Sequence, residues 1–183
     1  MSRRNILRSY NRSNVAVREL LAWVFAAEAV NPSTHIWIAM GWISDVVIFD
    51  ASQGQFDAVS GRGTSGRVHV SDLLVIMARK GTKISVITRP DSSNQVFLEA
   101  LKRKARGTEA QSRIQLHLSP EVHHKNIVGE DWFIDGSMNL TANGLDNNVE
   151  SLTLMVDRNA AAELRTNIRE QWKNKMGPLD ADS

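Results

Sequence analysis

The chain has 183 residues, which is enough for one domain with a sizeable core and too few for two ordinary domains. It contains no cysteine, which excludes a disulfide scaffold, a thiolate metal site and cysteine catalysis. The formal net charge is only +2, so the overall charge of the surface gives no indication of function. Local clusters of charged side chains matter more. We predict one domain over residues 1–176 and a frayed C-terminal tail over 177–183.

The N-terminal segment shares some features with a signal peptide, because arginines precede an apolar stretch at 20–27. Arg18 and Glu19 directly before this stretch and Glu28 directly after it argue against that interpretation. No apolar run reaches the roughly 18 residues that a membrane span needs. We therefore expect a soluble, cytoplasmic protein.

The first half of the chain begins with a predicted helix at 14–29, where apolar residues keep helical spacing. A short apolar run at 35–40 predicts a buried strand, and apolar character returns at 46–49. Trp42 follows the end of the first strand, which makes it a candidate substrate contact.

A glycine- and serine-rich segment at 51–67 contains Arg62 and Arg67. Loops of this length inside a compact domain are often functional. The segment either closes over a polyanionic substrate, with Arg62 and Arg67 as contacts, or is a disordered insertion.

The second half alternates helical and strand patterns and favours an α/β fold. The predicted elements are helices at 71–80, 93–105 and 160–175, strands at 83–88, 113–118 and 151–156, and a hairpin formed by 122–128 and 132–135. We expect a mixed, largely parallel central sheet with helices on both faces.

The residues with the most reactive chemistry lie between positions 123 and 150. Because side chains alternate along a strand, His123 and Lys125 are predicted to share one face and His124 to point away. The hairpin then returns Ser137 and Asn139, two residues apart, to the face of His123.

Together these groups suit phosphodiester chemistry. Lys125 and Asn139 supply a cation and hydrogen-bond donors for phosphate oxygens. Glu150 leads into the next strand, where its carboxylate can hold one imidazole nitrogen and leave the other free to attack. No group of side chains with metal-ligand spacing stands beside them, so we expect neither a metal nor a cofactor.

The stretch resembles the HxK…GSxN…E motif of the phospholipase D superfamily, and Gly41–Asp45 is similar to a further family segment. The resemblance implies that His123 is the nucleophile, that Lys125 and Asn139 bind phosphate, that Ser137 supports them and that Glu150 is the partner of the histidine.

The chain departs from the family pattern at one place. An aspartate usually stands five residues after the lysine, followed by six residues before the glycine. Here Glu130 occupies that position, Asp131 follows, and the segment is one residue shorter. We interpret this as a tighter hairpin turn in which either acid has a structural role.

The mechanism that the resemblance implies needs two histidines, one to form a phosphohistidine and one to protonate the leaving oxygen and activate water. A second His-x-Lys is absent, because His35, His69 and His117 are each followed two residues later by another residue type. The resemblance therefore implies a two-fold homodimer that places both copies of His123 across one cleft.

Small single-motif members of the superfamily are typically nucleases, including partners of DNA restriction and defence systems. We therefore expect a metal-independent endonuclease that acts on DNA rather than RNA. Two alternatives stay open: a phosphodiesterase for phospholipids, and a catalytically silent subunit that only binds nucleic acid. Cleavage of DNA or RNA with a chelator present, compared with turnover of a phosphatidyl lipid, tests the first, and a phosphorylated His123 tests the second.

Overall fold

The computed structural model describes residues 2–7, 15–50, 66–146 and 151–178. Its helices are α1 (Val15–Val30), α2 (Val70–Arg79), α3 (Ser92–Ala105), α4 (Ala142–Asp146) and α5 (Arg158–Trp172). Single 3-10 turns cover Gln111–Arg113 and Lys173–Lys175. None of these described helices is long and apolar enough to cross a membrane.

Most strands lie close to the predicted positions. Four short elements, three strands and one helix, were not predicted from the sequence pattern. The strands are β1 (Ser2–Leu7), β2 (His35–Met40), β3 (Val47–Asp50), β4 (Arg67–His69), β5 (Lys83–Thr88), β6 (Ile114–Leu118), β7 (Lys125–Val128), β8 (Trp132–Gly136), β9 (Ser151–Val156) and β10 (Gly177–Pro178). The unpredicted elements are β1, β4, α4 and β10.

The main sheet has eight strands in the order β1-β9-β8-β7-β2-β5-β6-β10, and β3 pairs with β4 in a separate hairpin. This confirms the mixed α/β fold. The expectation of a largely parallel sheet is wrong, because only the β2–β5 and β5–β6 pairings of the main sheet are parallel. The others are antiparallel. The three-residue turn between β7 and β8 forces antiparallel pairing, since a parallel connection needs a longer crossover.

Helices cover both faces of the sheet, as expected. On one face α1, α2 and α3 pack together through Phe25, Leu73 and Phe97, each fully buried. On the other face α5 contributes Ile168 and Trp172 to a smaller apolar cluster. The sheet is therefore the middle of three layers, and its strand ends are left to form loops at two opposite edges.

Both ends of the described chain are held by sheet pairing. Strand β1 pairs with β9 over its whole length, although its polar sequence shows no strand pattern. Gly177 and Pro178, expected in a frayed tail, instead pair with β6. The remainder of that tail lies outside the described residues. In both cases tertiary pairing overrides a weak local pattern.

A buried carboxylate ties α1 to the strands beneath it. Glu28 accepts hydrogen bonds from the backbone N–H and the hydroxyl of Ser33, both at 2.8 Å, and from the indole N–H of Trp132 at 2.5 Å. The Ser33 hydroxyl in turn accepts from the Glu130 backbone N–H at 2.8 Å. The start of β2 and the β7–β8 turn are thereby locked to the end of α1.

His35 begins β2 in a partly buried position. Its ring stacks on Trp37 with centroids 4.5 Å apart, and its Nε2 lies 2.9 Å from the Ser85 hydroxyl. Burial, followed by the positive charges of Lys83 and Arg165, lowers the pKa of His35 from 6.5 to about 4. Protonation of this imidazole therefore favours the unfolded chain.

We expect acid to destabilise the fold through His35. As the pH falls below 6.5, the imidazole of the unfolded chain becomes protonated, whereas that of the native state stays neutral until about pH 4. The free energy of unfolding therefore decreases as the pH falls across this window. Urea unfolding at several pH values measures the effect. His35→Gln is expected to lose this component, whereas His124→Gln, changed at an exposed position, is expected to keep it. Equal pH dependence in wild type and His35→Gln would contradict the assignment.

Candidate functional site

The candidate site lies at one edge of the main sheet, which we call the site edge. Parallel strands β2 and β5 both end there. Strand β7 is antiparallel to β2 and so begins there, β8 ends there, and β9 begins there. The site edge therefore gathers the segments around Trp42, Arg89, His123 and Ser137–Asn139.

His123 is exposed and lies before β7 rather than within it, because the strand begins at Lys125 and not at the predicted position 122. The Val122 carbonyl accepts a 2.9 Å hydrogen bond from Arg89 Nε. The alternation that was expected to separate His123 from His124 consequently does not apply. What distinguishes His123 is Arg89, whose Nη2 lies 3.0 Å from its Nδ1 and 3.3 Å from its Nε2.

Lys125 and Asn139 also lie at the site edge. Lys125 is the first residue of β7, pairs with Met40 and donates from Nζ to the His123 carbonyl oxygen at 3.2 Å. The Asn139 amide oxygen accepts from the Trp42 backbone N–H at 3.4 Å. A chain of contacts thus runs from Lys125 through His123 and Arg89 to Trp42 and Asn139.

Ser137 connects the end of β8 to the start of β9. Its backbone N–H donates to the Ser151 carbonyl at 3.1 Å, and its hydroxyl accepts from the Ser151 N–H at 3.1 Å. A Cβ on Gly136 would lie 2.1 Å from the Ser151 carbonyl oxygen, so the neighbouring position accepts only glycine. The predicted Glu150 precedes Ser151 and lies outside the described residues.

Arg89 is the residue that the sequence interpretation missed. Its guanidinium lies over the Trp42 ring, 4.6 Å from the centroid, in a cation–π contact. A signal was available, since Arg89 directly follows a buried strand that is parallel to β2 and ends beside it. A charged side chain at the carboxyl end of such a strand belongs among the candidates for function.

Asp91 supports this arrangement from the start of α3, where it caps the helix by accepting from the Ser93 N–H at 2.9 Å. The hydroxyl and the backbone N–H of Ser93 lower the pKa of Asp91, and smaller contributions come from the Trp42 indole and the Arg89 charge. The carboxylate therefore stays ionised near Trp42 and Arg89.

The remaining predicted residues lie elsewhere. Arg67 is exposed in β4 opposite Asp50, and no contact among the described residues joins it to His123. Arg62 lies outside the described residues. Glu130 and Asp131 form the β7–β8 turn at the opposite edge of the sheet, where Glu130 accepts from the Thr34 N–H at 3.2 Å and Asp131 pairs with Arg158 at 2.7 Å.

Two cationic side chains lie at the site edge in the part of the chain that the structure describes. No three histidine, aspartate or glutamate side chains gather there or elsewhere in the described ranges as metal ligands would. Arg89 and Lys125 supply positive charge around the exposed imidazole of His123. Such an arrangement suits an anionic group with several oxygens.

Comparison with known families identifies the family of the chain. Residues 31–172 match the family model described as "Cardiolipin synthase, PLD-like domain". The chain belongs to the phospholipase D superfamily. The match spans β2 to α5 and so includes the whole site edge, which confirms the family that the motif at 123–150 indicated.

Solved structures with the same fold cover nearly the whole of this phospholipase D-like chain. Nuc from Salmonella typhimurium, a phospholipase D family member, has a TM-score of 0.58 at 13% identity, with 97% of each chain covered. NucT from Helicobacter pylori has a TM-score of 0.56 at 11% identity, covering 97% of this chain and 99% of its own. The archaeal chromatin protein TrmBL2, described as having a novel mode of DNA binding, has a TM-score of 0.52 at 13% identity, covering 94% of this chain and 52% of its own. No curated protein matches the sequence.

The buried Asn94 side chain at the start of α3 holds the loops of the site edge. Its amide oxygen accepts from the Ile43 N–H at 2.8 Å, and its amide nitrogen donates to the carbonyls of Gly41 and Arg89 at 3.0 and 2.9 Å. The same nitrogen lies 2.9 Å from the Thr88 hydroxyl. One amide thus joins the ends of β2 and β5 to α3.

We expect Asn94→Ala to lower the free energy of unfolding by about 2–4 kcal/mol, because it leaves several buried polar groups unsatisfied. Denaturant unfolding measures this, with Asn167→Ala on the exposed face of α5 as the matched control. Asn94→Asp is expected to be damaging as well, since a carboxylate cannot donate to the two carbonyls. Wild-type stability of Asn94→Ala would show that these bonds do not hold the loops.

Proposed function

We propose that this protein is a metal-independent phosphodiesterase, and that its substrate is DNA, which it cleaves internally. The observation that carries the proposal is the exposed imidazole of His123 beside the cationic side chains of Arg89 and Lys125 at the site edge. Histidine, lysine and asparagine occupy the positions of the motif in a chain of this family. The neighbouring structures of Nuc and NucT support nuclease activity as the family function to test first.

In the proposed reaction one imidazole nitrogen of His123 attacks phosphorus, and the bond from phosphorus to the leaving oxygen breaks. Lys125 and Asn139 donate hydrogen bonds to the non-bridging oxygens as negative charge develops. Ser137 supports them through its bonds to β9, and Glu150 orients the imidazole. Water then attacks the phosphohistidine, which releases the phosphoryl group and regenerates His123.

The leaving oxygen needs a proton, and a second imidazole has to supply it before it accepts a proton from the attacking water. The chain has a single His-x-Lys, at His123 and Lys125. The proposal therefore includes a two-fold homodimer in which each copy of His123 serves as the acid for the other.

DNA is favoured as the substrate by the basic end of α3, where Arg103 and, directly after the helix, Arg106 are exposed. Lys104 is not part of this surface, because it pairs with Asp72 at 2.7 Å. The DNA-binding mode described for TrmBL2 supports the same substrate class. We place the activity in the cytoplasm, where a DNA restriction or defence role would require it.

We expect the wild-type protein to cleave DNA with a chelator present, and His123→Ala to lose at least about 10³-fold in rate because the nucleophile is gone. Single- and double-stranded DNA and RNA are assayed in parallel, with the exposed His124→Ala as the matched control. Rapid quenching under alkaline conditions followed by mass spectrometry is expected to find a phosphorylated His123.

Other results would point to other functions. Turnover of a phosphatidyl lipid without cleavage of any nucleic acid would replace DNA by a phospholipid as the substrate. Binding of nucleic acid with neither cleavage nor a phosphorylated His123 would identify a silent binding subunit and contradict the proposed catalysis.

The proposed dimer makes a separate prediction about hybrids. A hybrid of one wild-type chain and one His123→Ala chain, purified through two different tags, is expected to have a few per cent or less of wild-type activity, because it keeps a nucleophile but lacks the second imidazole. A wild-type dimer carrying both tags is the control. Half the wild-type activity in the hybrid, or a fully active monomer by mass measurement, would contradict the shared site.

A further inference from the structure

The Arg89 guanidinium lies between the Trp42 ring and the His123 imidazole. We propose that Arg89 binds the phosphoryl group that His123 attacks, and that Trp42 is the positioning residue that holds this guanidinium in place. The inference rests on the proposed phosphodiesterase function. It adds Arg89 to Lys125 and Asn139 as a third side chain that binds the phosphoryl oxygens.

Distance places Arg89 at the reacting atoms. Its Nη2 lies 3.0 and 3.3 Å from the two imidazole nitrogens of His123. Phosphorus has to come within about 3–3.5 Å of the attacking nitrogen before the bond forms. The non-bridging oxygens of that phosphoryl group then lie within hydrogen-bond reach of Nη2.

Orientation is set by two anchors that leave most of the guanidinium donors free for a substrate. Nε donates to the Val122 carbonyl at 2.9 Å, and the central guanidinium carbon lies over the Trp42 ring, 4.6 Å from its centroid. A guanidinium has five N–H donors in a rigid plane, a shape that matches two oxygens of a phosphate. The contacts with Val122 and Trp42 therefore hold the guanidinium in position before a substrate binds.

Charge supports the same role. Among the described residues no carboxylate forms a salt bridge with Arg89. Beside the larger effect of the Ser93 hydrogen bonds, its charge lowers the pKa of the nearby Asp91. It also lies beside the proposed nucleophile, where it stabilises negative charge that develops on the phosphoryl oxygens.

The first test compares kcat/KM for DNA cleavage among variants of the full chain. Arg89→Ala is expected to lose about 10²-fold or more, with part of the rate restored by added guanidinium ion, and Arg89→Lys to lose less because it keeps the charge without the fork. Arg79→Ala is the matched control, since Arg79 is exposed at the end of α2, near the opposite edge of the sheet. It is expected to keep the wild-type rate and to show no guanidinium rescue.

Trp42 is tested through its coupling to Arg89. Trp42→Phe keeps an aromatic face and is expected to keep most of the rate, whereas Trp42→Ala is expected to approach the loss seen for Arg89→Ala. The double variant is expected to be no slower than Arg89→Ala alone, because both changes remove the same interaction. Additive losses would overturn the positioning role of Trp42.

A binding measurement separates failure of this inference from failure of the proposed function. Titration with inorganic phosphate is expected to show roughly tenfold weaker binding for Arg89→Ala than for wild type or Arg79→Ala, the equivalent of one charge-assisted hydrogen bond. If wild type cleaves no DNA but Arg89→Ala still loses phosphate binding, the proposed function fails and the phosphate contact stands. If wild type cleaves DNA while Arg89→Ala and Arg89→Lys match Arg79→Ala in rate and phosphate binding, Arg89 has no such role.

Discussion

A single buried amide, that of Asn94, is the constraint on which the site edge depends. It bonds to the backbone after β2 and the backbone after β5, and it belongs to the helix that follows β5. Loops at strand ends have no ladder partners of their own, so their polar groups need side-chain partners when buried. Because Asn94 supplies them, the segments after β2 and β5 are held in place, and Trp42 and Arg89 contact each other at the site edge. The contact between Arg89 and His123 follows from that arrangement.

The sheet contributes the other half of the site by combining two kinds of connection. Crossovers through helices make β2 and β5 parallel, so both strands deliver side chains at their carboxyl ends. The hairpin of β7 and β8 runs the other way beside β2, so it delivers His123 before its first strand and Ser137 after its second. A wholly parallel sheet would place the start of β7 at the opposite edge. The antiparallel half is therefore what brings the HxK and GSxN parts of the motif together beside Trp42.

The sequence predicted the positions of most helices and strands, because long apolar patterns reflect burial against a sheet, but it did not predict β1, β4, α4 and β10. It failed for β1, whose pairing with β9 comes from tertiary structure and leaves no local pattern. The residues of the motif were found by their spacing, but the prediction of a strand at 122–128 was wrong, since the Val122 carbonyl bonds to the side chain of Arg89. Arg89 itself was missed because it lies 34 positions from His123, and the register of β2, β5 and β7 that joins them depends on the fold.

The β7–β8 turn has a consequence for how this family can vary in length. Its acids, Glu130 and Asp131, lie at the edge of the sheet remote from His123, while both ends of the hairpin lie at the site edge. A residue gained or lost within a strand would reverse the faces of every position beyond it. A residue gained or lost in the turn is absorbed there, and the pairing of Ile127 with Ile134 is kept. The turn is thus a place where insertions and deletions can accumulate while the two halves of the motif stay aligned.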